Sequence, residues 1–243
     1  MRPQLRPWIR LLLLLMIIAP ALAMAETGDL YQSGVEAFKE GNYRQALKYF
    51  RTLVRYFPES EEIETVKLSI LDSYFGKGNY RSAELLAKRI LEENNDPAVE
   101  ARVQKRLGEA MFFSAQSYAK QGEAALAAKE YNRMALEVPT TEFADRALFN
   151  AALHYEEAGD LEAAVRAYEK LIVGYPGSGL LNDALNNMAV DCGEMGDFAR
   201  AAESYETLAS RISDRERKSE ALRNAAALYN KAGMYDRAIE TSR

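Results

Sequence analysis

The side chains best suited to chemistry are scarce in this 243-residue sequence, which holds one histidine, His154, and one cysteine, Cys192. Any all-protein site that needs two of either is excluded, which removes zinc fingers, His-pair metalloproteases and internal disulfides. His154 stands beside Tyr155 with no matched nucleophile, and a lone imidazole without a partner is a poor catalyst. No Gly-x-Ser-x-Gly elbow, no glycine-rich phosphate loop ending in Lys-Ser/Thr and no His-Glu-x-x-His occurs. Cys192 takes a slot filled by tyrosine at Tyr74, Tyr118, Tyr155 and Tyr229, so a buried, protonated thiol is the expectation. Glu59, Glu61, Glu62 and Glu64 lack the glycine turn and graded oxygen spacing of a calcium loop and read as a solvated helix start. No metal, no cofactor and no enzyme activity is expected.

The residues that remain point to recognition. Asn150, Asn187 and Asn224 recur 37 residues apart in RALFNAA, DALNNMA and EALRNAA. A side-chain amide offers both donor and acceptor, so three at equivalent positions can pair with the backbone of an extended peptide and hold it without reading its sequence. Shared ancestry of the segments explains the recurrence equally well. Arg146 and Arg223 are candidates to take a carboxylate, because guanidinium presents a planar fork to two oxygens. Phe112 and Phe149 share one offset in the pattern and are candidate apolar anchors; core packing competes with that role, above all for Phe112.

These residues need elements to position them, and the elements come as a repeat. The glycines Gly41, Gly78, Gly122, Gly159, Gly196 and Gly233 are separated by 37, 44, 37, 37 and 37 residues. Five residues after each stands alanine: Ala46, Ala83, Ala127, Ala164, Ala201 and Ala238. Nine residues after them lie Phe50, Ala87, Tyr131, Tyr168, Tyr205 and Ser242. The glycine ends a first helix by taking a left-handed conformation, and the alanine, one turn into a second helix, lets the two axes approach to about 8–10 Å. Aromatics fill the wedge. Pro58, Pro97, Pro139 and Pro176 fall at the ends of the units, where a residue lacking an N–H stops the second helix. The 44-residue gap adds about two helical turns and keeps the inward face inward. It predicts a longer helix over about 98–120, capped by Asp96 with Pro97 at its first position; its extra turns are read as a spacer or, alternatively, as a ledge for a partner.

The pattern resembles the tetratricopeptide repeat, with GNY at 41–43 and 78–80 and GDF at 196–198 at the turns, then alanine, aromatic and proline. The 37-residue spacing and the tails FPES (57–60) and YPGS (175–178) are similar to bacterial envelope members of that family, the BamD-type outer-membrane assembly subunits and the Tol-Pal coordinators. The resemblance implies an all-α, right-handed α-solenoid of about six helical hairpins, the last incomplete. Repeats are placed at about 27–60, 61–97, 98–141, 142–178, 179–215 and 216–243 of one domain, 26–243. It implies further that first helices line a concave groove and that the recurring asparagine contacts bound peptide.

Composition and the leader set the compartment. Arg2, Arg6 and Arg10 precede the apolar run LLLLLMIIAPALAMA, too short to span a bilayer and ending in small residues, so residues 1–25 read as a signal peptide cut near Ala25. The rest carries 28 basic and 36 acidic residues, a net of -8 that disfavours nucleic acid. With no cysteine near the cut, a lipid anchor there is not expected, and the mature chain is expected in the periplasm with no membrane span. Only ten residues follow Gly233, so the last unit is expected either to continue in a longer protein or to meet a partner through an uncapped face. The expected function is an envelope scaffold that binds a protein or peptide on its concave face, with outer-membrane or cell-envelope assembly as the candidate process; the alternative is the substrate-presenting arm of a larger envelope enzyme or secretion machine. A glycan-binding groove would be marked by tryptophan, and Trp8, the one tryptophan, falls in the leader.

Overall fold

The computed structural model describes residues 26–94 and 96–243; the expected leader, with Trp8, lies outside them. Every regular element among these residues is an α-helix. By contacts the chain divides into two compact units, up to Arg106 and from Leu107, with the division inside the fifth helix. The first unit holds α1 (residues 26–39), α2 (Tyr43–Tyr56), α3 (Ile63–Gly76), α4 (Tyr80–Glu93) and the first turns of α5 (Pro97–Lys120). The second holds the rest of α5 with α6 (Ala124–Glu137), α7 (Ala144–Glu157), α8 (Leu161–Gly174), α9 (Leu181–Glu194), α10 (Phe198–Arg211), α11 (Arg215–Lys231) and α12 (Tyr235–Thr241). Within the units, neighbours in sequence pack on one another, α2 on α3 and α3 on α4, then each of α6 to α11 on the next.

The hairpin turns have one local cause. All six repeat glycines take positive φ, between 73 and 80°, which a side chain would disfavour. At the first turn the Asn42 N–H reaches back to the Ala37 carbonyl at 2.8 Å and satisfies a helix-end acceptor. The residue after the glycine then starts the second helix: Asn42, Asn79, Asp160 and Asp197 each accept a hydrogen bond from the backbone N–H three residues on. At the crossing points Ala46, Ala83, Ala127, Ala164 and Ala201 have no exposed surface, as close helix approach requires. Ala238 is only half-buried, because α12 is seven residues long and buries no side chain.

The long helix is α5, with 24 residues where α6 to α10 have 14 each. Asp96 caps it through the Ala98 N–H at 2.9 Å. Its added turns are tied to α3 in the first unit: Arg102 and Arg106 each reach the Asp72 carboxylate, at 2.8 and 2.9 Å, and the Arg106 guanidinium lies over Phe75 at 4.9 Å. At Arg102 and Arg106 the extension is thus fastened to α3.

Candidate peptide-binding face

The second unit repeats one local arrangement, built from a first helix, its own second helix and the next first helix. In the first copy Phe112 of α5 is 8% exposed and packs edge-on to Tyr131 of α6 at 5.1 Å. Asn150 of α7 hydrogen-bonds the Tyr131 hydroxyl, whose ionisation burial already pushes up. In the second copy Phe149 of α7 packs edge-on to Tyr168 of α8 at 5.8 Å, and the Asn187 amide of α9 donates to the Tyr168 hydroxyl at 3.0 Å. In the third, Asn186 replaces the phenylalanine, and Asn186, Tyr205 of α10 and Asn224 of α11 line one small cavity of about 130 Å³.

The asparagines are therefore brought to matching places, but two of them are already engaged. Asn150 and Asn187 are half-buried and each spends a hydrogen bond on a tyrosine one hairpin back. A primary amide has two N–H donors and an acceptor oxygen, so each keeps capacity for a further partner. Asn187 also accepts a long contact from Asn186 at 3.5 Å. Asn224 is exposed. Arg146 is exposed on α7, its guanidinium 4.6 Å from the Phe143 ring centre and 5.7 Å from that of Phe112, a stacking that leaves its N–H edge open for a carboxylate. Arg223 is exposed on α11 beside Asn224. Phe112 also touches Phe113 and Phe143, at 5.9 and 5.4 Å, so it serves the core rather than a groove; Phe149 is half-buried.

Two further groups belong to this face and escape a motif search. Asp191 of α9 is 5% exposed, and its Oδ2 has no hydrogen-bond partner. Burial, then the charge and hydrogen bond of Glu156, then Glu194, push its carboxyl up to about 7. Two carboxyls in hydrogen-bond contact need a proton between them. Tyr168 donates to the Glu156 Oε1 at 2.6 Å, which links the acid pair to Asn187 through one hydroxyl. Burial and then this carboxylate push the phenol far above its usual range. Glu156 and Asp191 sit 35 residues apart in no recognisable spacing, so only the fold joins them. The tyrosine and asparagine partners, by contrast, are a constant 19 residues apart at 131/150, 168/187 and 205/224, a signal present in the sequence.

His154 stacks parallel on Tyr131, with ring centres 5.9 Å apart, and its Nδ1 lies 2.9 Å from Glu157. Cys192 is fully buried, and desolvation pushes its thiol up to about 11, the inert state of a packed cysteine. Among the described residues no set of three or more His, Cys, Asp or Glu side chains converges as a metal site, and no helix is long and apolar enough to cross a membrane.

The family model described as "YfiO: Outer membrane lipoprotein" matches residues 24–190. No curated protein matches. Similar solved structures include BtubC (BKLC) from P. vanneervenii, 18% identical over 87% of each chain with a TM-score of 0.42. A MamA protein is 20% identical over 75% of this chain and 89% of that one, with a TM-score of 0.39. A tetratricopeptide repeat protein from Parabacteroides merdae is 16% identical over 88% of this chain and 77% of that one, also with a TM-score of 0.39. Matched over more than half its length, this chain of tetratricopeptide-type hairpins belongs to the YfiO family of outer-membrane lipoproteins.

Proposed function

We propose that the protein is an exported envelope scaffold, without chemistry of its own, that binds an extended segment of another envelope protein along the first helices of its second unit. The observation that carries this reading is the recurrence of Asn150 on α7, Asn187 on α9 and Asn224 on α11 at one repeat position, with exposed Arg146 one turn before Asn150 and exposed Arg223 beside Asn224. It presents three amides, two of them partly committed, at matching places of successive hairpins, with a cation near the first and the last. Amides grip a peptide backbone, and the arginines take its acidic side chains or terminal carboxylate. The membership in an outer-membrane lipoprotein family supports the compartment.

The test is site-specific photocrosslinking in cells. A photoreactive residue at position 146 or 223 is expected to capture one envelope protein, identified by mass spectrometry, with loss of the adduct in an Asn150→Ala, Asn187→Ala background. Probes at Leu136 and Val173, exposed on the second helices of the same unit, serve as the comparison. Adducts from the second-helix probes alone would place the partner elsewhere and end this reading.

A further inference from the structure

A different surface stands out in the first unit, on the second helices and independent of the face just described. Arg44, Lys48, Arg51 and Arg55 follow one another along α2 at steps of four, three and four residues, so they form one row on one side of the helix. α2 contains no acidic residue, and all four cations are exposed. Like charges one turn apart on a helix cost a few tenths of a kcal/mol each, and among the described residues no carboxylate offsets that here. Arg51 donates to the Tyr74 hydroxyl and Arg55 lies over the Tyr56 ring at 5.4 Å, but neither they nor Arg44, Lys48 and Arg89 meet a carboxylate among the described residues.

Beside this row an open cleft of about 340 Å³ runs between α2 and α4. Val54, Ile70, Leu85 and Leu86 make it apolar, and Leu85 is 57% exposed. Three arginines, Arg51, Arg55 and Arg89, line it together with those apolar side chains, and no carboxylate does. The nearby Glu84 on α4 is 1% exposed and already neutralised by Arg81 and Lys88, each at 3.0 Å. The cleft is thus a positive, partly apolar surface on a chain whose residues beyond 25 are acidic in sum.

We infer that this cleft docks an acidic amphipathic segment of a partner protein, with an apolar side chain seated between α2 and α4 and carboxylates on Arg51, Arg55 and Arg89. The row from Arg44 to Arg55 extends about 17 Å, three turns of a partner helix bearing glutamates on one face. Charge complementarity chooses the acidic class, and the apolar cleft chooses a segment that inserts a side chain over a flat layer of lipid headgroups.

The experiment is an anisotropy titration of the purified protein with a fluorescein-labelled helical peptide of glutamates bearing a leucine once per turn. A glutamine-for-glutamate peptide and vesicles of phosphatidylglycerol are run in parallel. The glutamate peptide is expected to bind with an affinity that falls as salt rises, and the glutamine peptide at least about tenfold more weakly. Arg55→Glu with Arg89→Glu is expected to lower affinity about tenfold or more with unchanged helicity by circular dichroism. Should that pair lose helicity, Arg55→Gln with Arg89→Gln decides by the same criterion. Equal binding of the two peptides, or full affinity in the folded variants, overturns the proposal. So does vesicle binding that depends on Arg55 and Arg89 without peptide binding, which would assign the cleft to lipid headgroups.

Discussion

Tyr168 shows how one hydroxyl can organise a face. It donates a hydrogen bond to Glu156 and accepts one from Asn187, so replacing it with phenylalanine takes a partner from each of two half-buried polar groups while keeping the ring in place. Tyr168→Phe is therefore expected to destabilise by about 1–3 kcal/mol in urea denaturation. Tyr205→Phe, at the equivalent place but with no hydroxyl bond of this kind, is expected to change stability by less than about 0.5 kcal/mol. Equal losses at the two positions would mean that ring packing alone sets the cost. The neighbouring Asp191 gives the face a pH dependence. Folding raises its carboxyl from the ordinary range to about 7, so the folded chain holds more proton than the unfolded one between about pH 4 and 7. The stability this contributes is complete below about pH 4 and is lost as pH rises to about 7. Glu156 and Glu194 supply the charges that oppose ionisation. Asp191→Asn should abolish the decline and leave the variant about 1–3 kcal/mol more stable than the parent at pH 8, with little difference at pH 4. Glu64, held low by Lys67, responds to pH in the opposite sense in parent and variant alike, so the difference between the two curves isolates Asp191. Parallel curves would show that the pair is not what titrates.

At the scale of the helix, the spacing that made the hairpins readable is also what makes them fragile. Ala164 has no exposed surface where α8 crosses its neighbours. Ala164→Leu is expected to lower stability by about 1–3 kcal/mol through overpacking, measured as a drop in the melting midpoint. An unchanged midpoint would mean the helices have room that close packing denies. The glycine turns and the long α5 with its cap at Asp96 were legible in the sequence because each rests on a local rule: positive φ, a short polar side chain at a helix start, proline at a first turn. The expected site was legible only as a row of positions. That Asn150 and Asn187 are bonded to tyrosines depends on how one hairpin is set against the next, and the Asp191–Glu156 contact depends on it entirely. The cations of α2 lie in plain order in the sequence, yet their lack of carboxylate partners appears only when the neighbouring helices are in place.

Across the whole molecule, repeat architecture makes stability a local quantity, because each hairpin is held mainly by its neighbours. The distribution of buried side chains then predicts where the chain opens. α8 buries Ala163, Ala164, Val165, Ala167, Tyr168 and Leu171, whereas α12 buries none and leaves Tyr235 64% and Ile239 55% exposed. α12 is held by polar ties instead: Arg237 meets Glu206 at 2.6 Å and the Tyr229 hydroxyl at 2.7 Å, and Thr241 donates to Glu206 at 2.8 Å. Polar ties of this kind at the surface hold a helix far less firmly than burial of an apolar face does. Amide hydrogen exchange of the purified chain should therefore find α12 the least protected of the helices from α6 onward and α8 among the most protected, with protection of α12 falling further in Arg237→Ala. If α12 were protected to the level of α8 in dilute solution, its exposed tyrosine and isoleucine would have to be covered by another surface, and a concentration series would then show protection lost on dilution as that surface dissociates.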